Sequence, residues 1–369
     1  MKIAVPTEIK VAEKRVGLTP DAVKTLVSQG HKLYIQKGAG EAIGYSDQDY
    51  IAGGANLLET AQEIFEAGEL IVKVKEPQPS EVALLKPHQT LFTYLHLAAD
   101  RKLTDSLVET GCRAIAYETV RDSAGQLPLL APMSQVAGRM ASQVAAESLM
   151  LHRGGCGKLM GGVPGVAPAK VTILGGGVVG TEAARIAVGL GAQVTIVDAK
   201  LDRLAYLDQL FGGRVSTQAA IASVVDQRVI DSDVVIGAVL VPGAKAPKLV
   251  RREQLSQMRP GSVLVDVAID QGGCFETSRP TTHTDPTYVI DGVLHYCVAN
   301  MPGAVARTST EALVAATLPY VMKLAAGVEA ALSSDSGLQA GLSVDKGELI
   351  CPEVRAAFGV GLERSLKTA

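Results

Sequence analysis

Short apolar runs alternate along the chain with stretches whose apolar positions recur every three or four residues, the alternation expected of buried strands and amphipathic helices. Residues 3–5 predict a strand, followed by a loop over residues 6–15 that carries Glu8, Lys10, Glu13, Lys14 and Arg15. Thr19 is placed to cap a helix that starts at Pro20, and its apolar stripe of Val23, Leu26 and Val27 ends at Gly30. Further strands are predicted over 33–35, 70–74, 91–95 and 114–117, with helices over 60–67 and 103–109. The first 130 residues therefore read as a parallel α/β lobe.

Pro128 and Pro132 mark a crossing, after which Ser134 is placed to cap a long helix running to about residue 151. The stretch HRGGCGKLMGGVPGVAPAK reads as a loop, because no strand feeds its glycines. A second lobe comes next, with five successive strands expected at 171–174, 194–197, 234–239, 263–267 and 294–299. Residues 308–327 predict a helix, kinked or split by Pro319, that returns the chain to the first lobe; the tail to Ala369 reads as helical. The expected fold class is α/β, with two Rossmann-like doubly wound parallel-sheet domains and a cleft between them.

Within the second lobe, KVTILGGGVVGTEAARIAVGLGAQVTIVD runs strand, glycine turn, helix, strand and terminal acid. Gly175, Gly177 and Gly180 fit G-x-G-x-x-G: one for the tight turn, one for close approach of a pyrophosphate, one for helix packing on the sheet. The helix opening at Val178 and Val179 aims unpaired N–H groups and its dipole at that phosphate. Asp198 stands where an acid accepts the ribose hydroxyls and repels a 2′-phosphate, so the expected cofactor is NAD rather than NADP.

Composition narrows the partners. The 369 residues allow about two domains, and a hydrophobic fraction of 47% with no Trp suits sheets buried on both faces. A net charge of −3, without a basic block, argues against nucleic acid. No apolar run is long enough to span a bilayer, and no signal peptide is legible, so a soluble cytoplasmic protein is expected. Cys112, Cys156, Cys274, Cys297 and Cys351 are scattered and form no C-x-x-C, which argues against a disulfide framework or structural zinc; no metal is expected.

Ligands of open α/β sheets bind beyond the carboxyl ends of the strands. The polar residues there are Lys75 and His96 in the first lobe, and Asp270 and Asn300 in the second. Each alone has a plain structural explanation, such as a solvated strand end or a turn residue beside Gly272 or Pro302. Together with Arg15 they suit oxidation of an amino or hydroxy acid. Arg15 grips a carboxylate with two parallel hydrogen bonds, Lys75 polarises a carbonyl, His96 moves protons near neutral pH, and Asp270 holds water or stabilises an iminium.

VPTEIKVAEKRVGLTP, VKVKEPQPSE, YLHLAAD, LGGGVVG, GAVLVPGAKAPKLV, VDVAIDQGGCFETSRPTTH and YCVANMPGAVARTST together resemble the corresponding segments of the bacterial L-alanine dehydrogenases, over nearly the whole chain. That family shares its architecture with the nucleotide-binding subunit of the proton-translocating transhydrogenase and with saccharopine dehydrogenases. The resemblance implies reversible NAD-dependent deamination of L-alanine to pyruvate and ammonium, by hydride transfer from Cα, in a homohexamer. It implies a substrate-binding domain of residues 1–130 and 306–369, and an NAD-binding domain of residues 131–305. Arg15 and Lys75 match its substrate contacts, His96 and Asp270 its catalytic pair. Ser134, Asp198, Val239, Leu240, Ile269, Asn300 and Met301 match positions lining the cofactor, Asn300 also facing the substrate. Arg203 reads either as a basic residue near the adenosine or as an exposed helix charge. Two other readings share the frame: an opine- or saccharopine-type dehydrogenase, and a non-catalytic NAD-binding transhydrogenase subunit.

Overall fold

In the computed structural model, the described residues are 1–239 and 246–359. Fifteen strands run along them: β1 Lys2–Val5, β2 Lys32–Gln36, β3 Asn56–Leu58, β4 Leu70–Val72, β5 Thr90–Thr93, β6 Arg113–Ala116, β7 Lys170–Leu174, β8 Gln193–Asp198, β9 Val215–Ala219, β10 Val234–Gly237, β11 Val263–Asp266, β12 Thr287–Ile290, β13 Val293–Tyr296, β14 Leu342–Asp345 and β15 Glu348–Leu349. The chain divides into two compact units, one of Met1–Met133 with Val305 onward, the other of Ser134–Ala304.

The first unit holds a sheet in the order β15-β14-β6-β5-β4-β1-β2-β3. Strands β1 to β6 are parallel, and β14 and β15 extend the sheet antiparallel past β6. The second unit holds β12-β13-β11-β10-β7-β8-β9, parallel except for β12. In both, the order reverses beside the first strand, between β1 and β4 and between β7 and β10, which gives each sheet a switch point at its carboxyl edge. Strands β4, β5, β10, β11 and β13 are buried along their whole length, the condition for an uninterrupted apolar run.

Several sequence expectations need correction. The strand over 234–239 is the fourth of its unit, because the polar edge strand β9 (VSTQA) precedes it, and the antiparallel edge strand β12 precedes the last. The edge strand β3 of the first unit and the short helices Asp47–Ala52 and Pro79–Val82 carry no apolar run either. Ser134 is not a cap: it lies inside helix Ala131–Ser148, where Pro132 occupies the first turn and needs no hydrogen-bond acceptor. Helix Ala306–Ala326 runs through Pro319 without splitting, and the break falls at Gly327. Up to residue 359 the tail is not simply helical, and the rest of it lies outside the described residues. Lys346 and Gly347, both at positive φ, turn β14 into β15, the backbone twist that a two-residue hairpin requires.

The cap expected at Thr19 stands. Thr19 caps helix Pro20–Ser28 by accepting from the Ala22 N–H, and Thr60 and Glu63 form a capping box on Ala61–Ala67. No single helix among the described residues is long and apolar enough to cross a membrane.

Candidate active site

Neighbouring strands β1, β4, β5 and β6 send their carboxyl ends to one edge of the first unit, and the polar residues gather there. The loop after β1 carries Glu8, Glu13 and Arg15; β4 leads into Lys73 and Lys75; β5 leads into Tyr94 and His96; β6 leads into Tyr117 and Glu118.

Arg15 is buried at 2% exposure. Its Nε donates to Glu13 Oε1 at 2.7 Å, its second terminal nitrogen donates to Glu13 Oε2, and its first donates to Met133 Sδ at 3.0 Å. Burial works against the guanidinium charge, but the Glu13 hydrogen bonds and charge more than offset it, so its pKa lies above the ordinary value. The parallel pair of hydrogen bonds expected for a substrate carboxylate is therefore made here to Glu13.

Lys75 is half-buried, and its position is fixed through its backbone. Glu8 accepts from the N–H groups of Val74 at 2.7 Å and Lys75 at 3.4 Å. The same carboxylate meets the Lys73 ammonium at 3.2 Å, and Lys73 reaches Glu81 at 2.7 Å. Lys73 is 0% exposed, Glu8 8% and Glu81 2%, so one cation is buried between two carboxylates. Burial raises the Glu8 pKa, opposed by Lys73 and by the Val74 N–H.

His96 takes φ 51, a left-handed conformation uncommon for a residue with a side chain. Glu118 accounts for it by accepting from His96 N–H at 2.6 Å and Leu95 N–H at 3.2 Å. The imidazole is exposed, stacks on Tyr94 at 5.8 Å between centroids, and has Nδ1 3.9 Å from Glu118 Oε1. Tyr94 is buried and donates its hydroxyl to the Leu129 carbonyl at 2.5 Å, and burial raises its pKa.

In the second unit the glycine turn comes directly after β7. Gly175 has φ 100, and a Cβ on Gly180 would lie 1.9 Å from the Gly175 carbonyl oxygen. Gly177 precedes helix Val178–Gly189, and a Cβ there would meet no protein atom within 4 Å. That open space, facing N–H groups at the start of a twelve-residue helix, suits a dinucleotide pyrophosphate. Asp198 ties the turn to the end of β8: Oδ2 accepts from Gly176 N–H at 2.6 Å, and Oδ1 from Lys200 N–H at 2.9 Å. Each oxygen has a further lone pair, the capacity a ribose diol needs. Arg203 is not an exposed helix charge. Its Nε donates to the Gly176 carbonyl at 2.5 Å and its terminal nitrogen to Thr181 Oγ1 at 2.7 Å.

Val239 lies half-buried just past β10, while Leu240 lies outside the described residues. Ile269 is buried in the single 3₁₀ turn Ile269–Gln271, which leaves Asp270 exposed. Asn300 has φ 54 and starts the turn into buried Met301. Ser134 is half-buried on its helix. The structure thus gathers Arg15, Lys75 and His96 at one sheet edge of the first unit, and sets the glycine turn, Val239, Asp270 and Asn300 beyond strand carboxyl ends of the second.

Sequence reasoning missed the supports: Lys73 and Glu81, buried with Glu8, and Asp266 and Lys248, which hydrogen-bond the backbone beside Asp270. The one available signal is a lysine inside the apolar run LIVKVK, where a solvated charge has no place.

Comparison with known proteins covers both units. Residues 4–137 match the family model described as alanine dehydrogenase/PNT, N-terminal domain, and residues 141–352 its C-terminal domain. The alanine dehydrogenase of Halomonas elongata is 58% identical over 361 residues, covering 98% of this chain and 97% of the relative. A solved L-alanine dehydrogenase superposes with a TM-score of 0.94 at 53% identity, covering 97% of this chain and 99% of that one. The transhydrogenase of Sinorhizobium meliloti shares the fold, with a TM-score of 0.83 at 24% identity over 95% of this chain and 100% of that one.

Proposed function

The chain belongs to the alanine dehydrogenase/PNT family and acts as an alanine dehydrogenase, an amino-acid oxidoreductase, and from that premise we propose the roles of its residues. The reaction is L-alanine, NAD and water to pyruvate, ammonium, NADH and a proton, reversibly. What carries the reading is the placement of Arg15, Lys75, His96 and Asp270 beyond strand carboxyl ends, in a chain more than half identical to a named alanine dehydrogenase along both units.

NAD, when bound, supplies the hydride acceptor for the alanine Cα–H. Gly175, Gly177, Val178, Val179 and Gly180 would hold its pyrophosphate, Asp198 its ribose with Arg203 bracing the turn, and Ser134, Val239, Leu240, Ile269, Asn300 and Met301 the remainder. Arg15, aligned by Glu13, supplies positive charge for the substrate carboxylate. Lys75 stabilises the oxygen that becomes the pyruvate carbonyl. Water adds to the iminium carbon as the His96 imidazole or the Asp270 carboxylate takes its proton, and ammonia leaves from the resulting carbinolamine. Asn300 orients the substrate. The active form is a cytoplasmic homohexamer.

The test is an NADH absorbance assay on the isolated protein. NADH consumption must require both pyruvate and ammonium; consumption without either, or preference for a larger 2-oxo acid, overturns the assignment. His96→Ala or Asp270→Ala lowers turnover by about 10²–10⁴-fold with NADH affinity retained. Unchanged turnover removes that residue from the mechanism. Light scattering tests the hexamer.

A further inference from the structure

The turn that carries Asp270 is the single 3₁₀ turn Ile269–Gln271. It is gripped from two sides. Asp266, fully buried at the end of β11, accepts from the N–H of Ala268 at 3.1 Å, of Cys274 at 2.9 Å and of Phe275 at 3.3 Å, and from the Ser278 hydroxyl. One carboxylate thus ties the chain before Asp270 to the chain after it. The carbonyls of the same stretch go to a single ammonium: Lys248 Nζ donates to Gly272 O at 2.7 Å, Gly273 O at 2.9 Å and Phe275 O at 3.0 Å. Three acceptors match the three hydrogens of an ammonium. Gly272 and Gly273, at φ 88 and 73, take the backbone conformation that permits this, and Ala246 N–H adds a bond to Gln271 O at 3.1 Å.

We propose that Lys248 is a positioning residue for Asp270: its ammonium, opposed by the Asp266 carboxylate, fixes the 3₁₀ turn that sets the Asp270 side chain. This rests on the proposed role of Asp270. The Lys248 side chain is otherwise exposed, so its removal leaves the core intact. A guanidinium is planar and forked, and cannot bring three carbonyls to one point, so the role is specific to lysine rather than to positive charge.

The experiment is a double-mutant cycle on the full-length protein, with kcat and the KM for pyruvate measured separately. Lys248→Met is expected to lower kcat on the order of 10- to 100-fold, as displacement of a reacting group by about 1 Å does, with KM changed less than about threefold. Lys248→Arg recovers only part of the loss. In an Asp270→Asn background, Lys248→Met costs less than about twofold more, because there is no carboxylate left to position. Hydrogen exchange of peptides spanning residues 266–278 rises in Lys248→Met. Wild-type kcat in Lys248→Met, the full penalty repeated on top of Asp270→Asn, full recovery in Lys248→Arg, or unchanged exchange each overturns the proposal. Wild-type kcat in Asp270→Asn alone overturns instead the reading of Asp270 on which it stands.

Discussion

Replacing Lys73 by Met removes the cation that, among the described residues, pairs with both Glu8 and Glu81, at a site where the three groups are 0%, 8% and 2% exposed. The loss of two ion pairs, at 3.2 and 2.7 Å, leaves carboxylates with no solvent to replace the ammonium. Breaking such a buried pair costs about 3–5 kcal/mol. For a cooperative unit of about 200 residues, that lowers Tm by roughly 6–20 °C. The pH dependence gives an independent check. Burial already raises the Glu8 pKa, so the folded state binds more protons than the unfolded state above the ordinary carboxylate range, and stability falls as pH rises there. Lys73 opposes that rise, so without it the folded Glu8 pKa climbs further and protonation relieves more of the penalty. The Tm gap between wild type and Lys73→Met should be wider at pH 8 than at pH 5. Adding Glu8→Gln and Glu81→Gln should recover part of the loss, since a neutral cluster has no unpaired charge. Scanning calorimetry reads all three results. A loss under about 1 kcal/mol, or a gap independent of pH, refutes the electrostatic account.

Gly177→Ala should fold normally, its Cβ meeting no protein atom and its φ of −64 open to any residue, yet lose NADH binding in a fluorescence titration. Normal affinity would remove the pyrophosphate from that position. Gly180→Ala, with its Cβ 1.9 Å from a backbone oxygen, should lower stability itself by about 1–3 kcal/mol, and unchanged denaturant unfolding would contradict the packing described. Asp198→Ala should weaken NAD and relax discrimination against NADP in steady-state assays, with some loss of stability because Gly176 and Lys200 lose their acceptor. Glu13→Gln should raise the KM for pyruvate more than it lowers kcat, because it loosens Arg15 rather than removing a proton-transfer group.

The legible part of this chain is the part that local pattern encodes. The buried central strands and the glycine turn declare themselves because both faces of the strand are apolar and each glycine answers a local steric demand. Edge strands β3, β9 and β12 are half-solvated and carry no such run, so periodicity alone undercounts the second sheet. Lys75, His96 and Asp270 are legible because each stands a few positions beyond the end of an apolar strand, and Arg15 because it closes the charged loop after the first one. Their supports obey no local rule: Glu8 meets Lys73 across 65 positions, and Lys248 meets Phe275 across 27. Nor does a sequence show that the Arg15 fork is turned onto Glu13, since the choice between an internal and an external carboxylate is made by the folded loop.

The antiparallel strand β14 pairs with β6, although the whole second unit lies between them in the chain. During synthesis β6 emerges with one edge unpaired, and its partner arrives only after a delay of roughly 10–45 s at ribosomal rates of about 5–20 residues/s. The second unit is continuous and can complete its sheet within that interval, so the first to begin is the last to finish. The nascent chain is then most open to misassociation through the β6 edge, and a chaperone that shields exposed strand edges would find its substrate there.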